Sequence, residues 1–329
     1  MEDFLIYFIY VLIITFFSKK IFIKLNLTDK PSIGKIHKES VPFSGGLILI
    51  LCFFYFLNKD IIVELEYIFV NVILIFLIGF VDDKFNLKPD QKFLALFFSC
   101  LFTHNDFLIN YLGFFPIIGD VYLYKLSLIL NILFVVLFCN AFNYIDGIDG
   151  VALFNFFTSI VFILIQAKPN TDILVFSMYL IIPILILIII NFNFLNLGKI
   201  FLGDGGSLSL GYIISNIIIF YSYKNSLSPI IFFWPIAYVI FDFLIVNYYR
   251  IQNNVKIFTR SNDHFHHIVR KKVKSDFLSF LIISSIHISI LVIGYFCNKF
   301  FTNLYVILIM IIITFMIFLL LRKRFMINS

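Results

Sequence analysis

Apolar segments long enough to cross a lipid bilayer recur along the whole chain of 329 residues. Hydrophobic residues make up 61% of the chain and charged residues 13%, against roughly 45–50% and about 25% in soluble domains. Since about 20 apolar residues suffice for one helical crossing, the chain holds material for about ten. A soluble enzyme, a disordered chain and a nucleic-acid-binding domain are therefore excluded.

The apolar segments predict an all-α, polytopic integral membrane protein with about eleven transmembrane helices. The whole chain, 1–329, then forms a single multi-pass membrane domain. The predicted helices cover 4–23, 43–57, 61–81, 92–103, 125–143, 148–166, 172–191, 207–223, 229–249, 277–297 and 302–321.

The basic residues predict how these helices are oriented. If the N-terminus lies outside, only five of the 25 Lys and Arg residues fall on the outer side. These five are Lys59, Lys125, Lys168, Lys224 and Lys299. By the positive-inside rule we expect the N-terminus outside and the C-terminus in the cytoplasm. The same bias explains the formal charge of +6 without nucleic acid as a partner.

The remaining polar clusters all fall on the side predicted to be cytoplasmic. They occupy five loops, near 24–42, 82–92, 143–150, 192–206 and 250–276. Carboxylates at a membrane boundary are costly unless they are paired, metal-bound or hydrated. Their gathering on one side therefore indicates a functional site.

The acidic residues in these loops favour binding of a hard cation. Asp82 and Asp83 are adjacent like charges, an arrangement that raises a proton affinity or attracts a cation. Hard oxygen ligands come from Asn143, Asp146, Asp149 and Asp204. Their chemistry suits Mg²⁺, or Mn²⁺ as the alternative, and argues against zinc.

Groups that bind phosphate accompany these acids. The glycines around Asp204 would let backbone N–H groups approach an anion where the next helix begins. The side chains expected to hold phosphate are Lys92, Arg260, His264, His266 and His267. Carboxylates, a divalent cation and cations around a phosphate are the components of phosphoryl transfer. Asp242, inside the ninth predicted helix, is either a buried brace or a reactant.

Taken together, these motifs resemble the polyprenyl-phosphate N-acetylhexosamine-1-phosphate transferases of glycosyltransferase family 4, which include the WecA-type enzymes and MraY. The resemblance runs from about Asp29 to His267 in the family's order. It rests on DKPSIGKIHKESVPFSGG, VDD followed by Lys92, NAFNYIDGIDGVA, KIFLGDGGSLSLGY, PIAYVIFDFLIVNYYR and HFHH. The histidine pattern and the eleventh span favour the WecA-type branch.

The resemblance implies an activity. A sugar 1-phosphate, N-acetylhexosamine 1-phosphate by default, is transferred from a UDP-sugar to undecaprenyl phosphate, releasing UMP. The reaction would start synthesis of a lipid-linked glycan (O-antigen, teichoic acid or another envelope polysaccharide) on the cytoplasmic face of a bacterial inner membrane. The sugar stays open between N-acetylglucosamine and a 6-deoxy N-acetylhexosamine, because Asp263 directly precedes His264 where relatives are spaced differently. A homodimer is one open oligomeric state.

The resemblance also implies roles for individual residues. Asp82 would be the base for the lipid phosphate, supported by Asp83; direct attack by the lipid and a covalent aspartyl intermediate both stay open. The metal ligands would be Asn143 and Asp204, with Asp146 nearby. The substrate-binding residues would be Lys38, Lys92, Asp149, Arg260, His264, His266 and His267.

Two other classes of protein make different demands on the sequence. A proton- or ion-coupled transporter is expected to carry acids near the bilayer middle, broken helices and internal repeats. A CDP-alcohol phosphatidyltransferase needs an Ala–Arg pair soon after its first Asp–Gly. In this chain the Asp146–Gly150 segment is followed by Val151, Ala152 and Leu153, with no arginine.

Overall fold

The fold is mainly helical, as described by a computed structural model. The structure describes residues 2–31, 39–57, 66–102, 107–167, 171–255 and 263–327. Within these ranges the helices are α1 (Glu2–Lys24), α2 (Gly45–Leu57), α3 (Glu66–Phe85), α4 (Pro89–Phe102), α5 (Ser127–Ile145), α6 (Val151–Ala167), α7 (Thr171–Asn191), α8 (Gly203–Lys224), α9 (Trp234–Gln252), α10 (Phe265–Val273), α11 (Asp276–Phe300) and α12 (Leu304–Ile327).

Every predicted span overlaps one of these helices, and the short helix α10 is additional. Among the helices described, six are long and apolar enough to cross a membrane: α1, α5, α7, α8, α11 and α12. The mainly helical membrane fold is therefore confirmed. The number of eleven crossings and the orientation of the termini stay predictions.

The helix ends differ from the predicted boundaries in a way that matters for the site. Helix α3 continues to Phe85, so Asp82 and Asp83 lie in its last turn instead of after it. Helix α8 begins at Gly203, so Asp204 lies in its first turn. A hydropathy profile ends a span at the first charges, whereas the hydrogen bonds of a helix continue beyond the apolar core.

Two short β-hairpins depart from the all-α prediction. Strand β1 (Thr28–Asp29) pairs antiparallel with β2 (Val41–Pro42), and β3 (Tyr111–Phe115) pairs antiparallel with β4 (Gly119–Tyr122). Strands this short show no recognisable alternation of polar and apolar residues, which is why the sequence pattern missed them.

The segment before α8 is hydrogen-bonded to the chain that enters α2. Phe201 N donates to the carbonyl of Pro42 (2.9 Å), and Gly45 N and Gly46 N donate to the carbonyls of Phe201 (3.0 Å) and Leu202 (2.9 Å). These bonds fix the beginning of α8 beside the beginning of α2.

Helix α8 is the centre of the bundle. All its residues from Gly205 to Ser222 are buried, and it packs chiefly against α3 and α5. Glycine allows two helix backbones to approach closely. A Cβ atom added at Gly79 of α3 would lie less than 3.0 Å from backbone atoms of Asp204 and Gly205. The end of α3 and the beginning of α8 are thus in backbone contact.

This contact predicts that the substitution Gly79→Ala destabilises the protein. The added methyl forces α3 away from α8, and overpacking of this kind typically costs about 1–3 kcal/mol. We expect a lower temperature of thermal unfolding in detergent. The control is Leu77→Ala, at a residue of the same helix that is 47% exposed. Equal destabilisation by the two substitutions would contradict the close contact.

Candidate active site

The ends of four helices meet at the ammonium group of Lys92. This residue lies in the first turn of α4, which begins with Pro89, a residue well suited to a first helical position. Lys92 Nζ donates hydrogen bonds to Asp82 Oδ2 (2.9 Å), Asn143 Oδ1 (2.8 Å) and Asp204 Oδ2 (3.1 Å). The three acceptors belong to α3, α5 and α8. Four residues predicted for the site therefore meet at one buried group, and two of them, Lys92 and Asp204, are 112 positions apart.

The Asn143 side chain is held on both sides of its amide. Its Nδ2 donates to Asp204 Oδ1 (3.0 Å) and to Ser207 Oγ (2.7 Å), while its Oδ1 accepts from Lys92. Sequence reasoning missed Ser207. It lies three positions after Asp204, which places both on one face of a helix, and that spacing was the available signal.

Asp82 and Asp83 face different partners. Asp83 accepts hydrogen bonds from the backbone N–H groups of Asp204 (3.0 Å) and Gly205 (3.3 Å). It thereby satisfies two of the unpaired amides at the start of α8, where the helix dipole also favours a negative charge. Gly203, with φ of +75°, lets the chain turn into the helix against the Asp83 carboxylate. Asp82 instead accepts from Lys92 and from Leu87 N (2.8 Å).

The loop 146–150, which joins α5 to α6, is tied to the last residue of α7 and to the segment that follows α7. Gly150 N donates to Asn191 Oδ1 (2.6 Å), and Asn191 Nδ2 donates to the carbonyl of Ile200 (2.9 Å). Lys199 forms an ion pair with Asp149. In the sequence Lys199 counted only as a topology charge, although it is the first residue of the KIFLGDGGSLSLGY motif.

The carboxyl groups of this loop are in an acidic environment. Burial raises the pKa of Asp146 well above its usual range, and repulsion from Asp204, Asp83 and Asp149 adds to the effect. Burial also raises the pKa of Asp149, while its ion pair with Lys199 acts in the opposite direction. A cation placed beside Asp146 would relieve the repulsion and favour the ionised carboxylate.

The side-chain oxygens around Lys92 meet part of what a hard cation requires of its ligands. Oxygens of Asp82, Asn143 and Asp204 already converge on one positive group, the Lys92 ammonium, and oxygen is the ligand that Mg²⁺ prefers. In the part of the chain that the structure describes, no three His, Cys, Asp or Glu side chains are close enough to hold a metal by themselves. A metal ion here would therefore need further ligands, such as the amide oxygen of Asn143, water or substrate oxygens.

Helix α10 brings the histidines to the acidic loop. A Cβ atom added at Gly147 would lie less than 3.0 Å from the rings of His266 and His267. Burial lowers the pKa of His267 to about 4, with His264 contributing, so the ring is neutral at pH 7. Burial also lowers the pKa of His266 well below its usual value. As neutral rings, these histidines can each donate one N–H to a phosphate oxygen.

The structure identifies Asp242 as a brace. It is buried in α9, and its Oδ2 accepts a hydrogen bond from His264 Nδ1 (2.8 Å). His264 also stacks on Tyr144, at 5.0 Å between ring centroids. Among the predicted site residues, Lys38 and Arg260 lie outside the described residues.

Comparison with known proteins gives a consistent family. Residues 65–222 match the family described as Glycosyl transferase family 4. The "probable undecaprenyl-phosphate N-acetylglucosaminyl 1-phosphate transferase" of Bacillus subtilis is 31% identical over 277 residues, covering 78% of this chain and 73% of that protein. The chain belongs to glycosyl transferase family 4.

Other relatives show somewhat lower sequence identity over a similar part of the chain. The undecaprenyl-phosphate alpha-N-acetylglucosaminyl 1-phosphate transferases of Salmonella typhi and of Escherichia coli K12 are 26% and 25% identical to this chain. The alignments cover 80% and 82% of this chain, and 74% and 76% of the two relatives. The resemblance inferred from the motifs is thus confirmed. The transporter alternative gains no support, because these relatives have transferase names and the acids lie at helix ends.

The position of Asp83 predicts an effect on stability. We expect Asp83→Ala to remove both contacts to the start of α8, at about 0.5–2 kcal/mol, the usual cost of losing a helix cap. Asp83→Asn keeps one acceptor oxygen and should cost less. Thermal unfolding in detergent measures both effects. An Asp83→Ala variant as stable as the original protein would show that this carboxylate does not hold α8.

Proposed function

We propose that this protein transfers a sugar 1-phosphate from a UDP-sugar to undecaprenyl phosphate. The observation that carries the proposal is the convergence of Asp82, Lys92, Asn143 and Asp204 at one point. An oxygen of the lipid phosphate attacks the β-phosphorus of the UDP-sugar. The bond from that phosphorus to the bridging oxygen breaks, and UMP leaves with the electron pair. The sugar is N-acetylglucosamine, as in the names of the relatives.

The residues around Lys92 position the reacting groups. Lys92 stabilises negative charge on a phosphate, and the neutral rings of His266 and His267 donate hydrogen bonds to the diphosphate. Asp82 accepts a proton from the lipid phosphate or orients it. Since the second pKa of a phosphate monoester is about 6, a strong base is not required. Direct attack and a covalent aspartyl intermediate both stay open.

A divalent cation is part of the proposal. Asn143 and Asp204, with Asp146, hold Mg²⁺ or Mn²⁺ through their oxygens. The bound ion supplies neutralisation of the diphosphate and of the leaving UMP. Asp83 keeps Asp204 in place through its contacts with the first amides of α8.

Asp149 and the cytoplasmic loops complete the site. Asp149, Lys38 and Arg260 contact the nucleotide or its phosphates on the cytoplasmic face of a bacterial inner membrane. This placement agrees with the positive-inside bias, and it gives the protein access to a soluble UDP-sugar and a membrane-bound lipid at once. Undecaprenyl phosphate, held in the bilayer, meets the nucleotide at the helix ends.

Release of UMP tests the activity and the metal together. Purified protein is supplied with Mg²⁺, undecaprenyl phosphate and a panel of UDP-sugars. We expect release with UDP-N-acetylglucosamine and its loss on addition of EDTA or in Asp204→Ala. Asp120→Asn, on the exposed hairpin β3–β4, is the control and should keep full activity. Normal turnover in Asp204→Ala or in EDTA would refute the proposed metal ligands.

The role of Asp82 is tested by separating binding from turnover. We expect Asp82→Asn to lose most of its turnover, because the amide neither accepts a proton nor balances the charge of Lys92. Binding of the UDP-sugar, measured by calorimetry in detergent, should be largely kept. An equal loss of binding and turnover would show that Asp82 serves binding or structure.

A further inference from the structure

Arg322 is the buried member of a basic cluster at the end of α12. Its neighbours Lys323 and Arg324 are exposed, whereas Arg322 is 2% exposed. The positive-inside rule accounts for all three charges in the sequence. It does not explain why one guanidinium is buried, since burial of a charge is costly unless partners compensate for it.

The partners of Arg322 come from two other parts of the chain. Its Nη1 donates to Asp242 Oδ1 on α9 (2.6 Å), and its Nη2 donates to the backbone carbonyl of Asp263, just before α10. The planar guanidinium suits this task because it presents its donors in a fixed fork. One side chain of the last helix therefore links α9 to the beginning of α10.

Asp242, which Arg322 holds, in turn binds the beginning of α10. Its Oδ1 also accepts from the backbone N–H of Phe265 (2.9 Å), and its Oδ2 accepts from His264 Nδ1 (2.8 Å). The N-cap residue of α10 is His264, whose own side chain makes no cap hydrogen bond, so Asp242 serves as the cap from α9. A carboxylate that accepts from Nδ1 keeps the hydrogen on that nitrogen.

Asp242 therefore holds one nitrogen of the His264 ring, Nδ1, and leaves the other nitrogen, Nε2, for a different partner. His264 Nε2 has no hydrogen-bond partner among the described residues and is buried. The ring stacks on Tyr144, the residue next to Asn143, and lies nearly parallel to His266 at 5.8 Å. Nε2 is thus a fixed polar atom close to the end of α5.

We infer that Arg322 is a positioning residue of the transferase, acting through Asp242 to orient His264 and to hold the start of α10 against the loop 146–150. This inference rests on the proposed function. Arg322 touches no group at Lys92 in the described structure; it acts from α12 by fixing a carboxylate that in turn fixes a ring.

Kinetics of matched variants test the effect on the reaction. Arg322→Met removes the charge and both donors, and Arg322→Lys keeps the charge without the fork. We expect kcat for UMP release to fall about 10–100-fold in Arg322→Met, the usual loss when a supporting hydrogen bond is removed, and less in Arg322→Lys. KM for the UDP-sugar should change much less, because Lys92 and the other groups proposed to bind the substrate away from His264 remain. The matched control, Arg324→Met, should keep wild-type kcat; an Arg322→Met enzyme with wild-type kcat would overturn the inference.

The state of the His264 ring gives a readout that does not depend on activity. The chain has six histidines, so ¹⁵N-histidine labelling gives a simple spectrum, in which His264→Gln assigns the resonance. We expect a hydrogen on Nδ1 in the original protein. In Arg322→Met the Asp242 carboxylate has lost the guanidinium that fixes it, so its hydrogen bond to the ring changes and both nitrogen resonances shift. Unchanged His264 resonances would overturn the inference.

A second variant covers the case in which Arg322→Met does not fold. Asp242→Asn keeps the size of the side chain, and its amide oxygen can still accept from Arg322. The amide nitrogen then faces His264 Nδ1 as a donor, so the hydrogen should move to Nε2. Retention of the Nδ1 hydrogen in this variant would overturn the inference. If the original protein releases no UMP with any UDP-sugar, the proposed function fails, while the ring measurements still decide whether Arg322 positions His264.

Discussion

The ammonium group of Lys92 is the interaction on which the site depends. It donates hydrogen bonds to the carboxylates of Asp82 and Asp204 and to the amide oxygen of Asn143, at 2.8 to 3.1 Å. Two carboxylates and a lysine would each be costly at a membrane boundary, and together they compensate one another. The ends of α3, α5 and α8 are therefore held at the beginning of α4. A phosphate or a divalent cation entering this point meets charges that are already in place.

Close helix packing makes this arrangement possible. Gly79 brings the backbone of α3 against the start of α8, and Asp83 then reaches the first amides of α8 from the neighbouring helix. A larger residue at 79 would separate the two helices and with them Asp82 and Asp204. Asp82 and Asp83 form a conspicuous pair in the sequence because they are adjacent. For the same reason they contact different partners, since successive residues of a helix face different directions.

Much of the site was predictable, and the limits have a physical cause. Asp82, Lys92, Asn143 and Asp204 were expected to meet because each stands where an apolar segment ends on the same side of the membrane. Nothing in the sequence indicated that Asp83 would cap α8 or that Arg322 would be buried. Those contacts depend on how each helix is rotated about its axis and on how closely it approaches its neighbours, and hydropathy carries no information on either. The two hairpins were missed because strands of two to five residues leave no periodic pattern.

The sequence by itself determined that the chain is a helical membrane protein and that its polar chemistry gathers at the helix ends. The reason is that the bilayer tolerates only long apolar helices and pushes charged groups to its boundary. The tertiary structure alone decided which oxygen faces which cation. That choice separates Asp82 from Asp83, pairs Lys199 with Asp149, and turns Arg322 from a topology charge into a buried brace on Asp242. Pairing of this kind follows from distances of about 3 Å between distant segments, which only a packed fold can set.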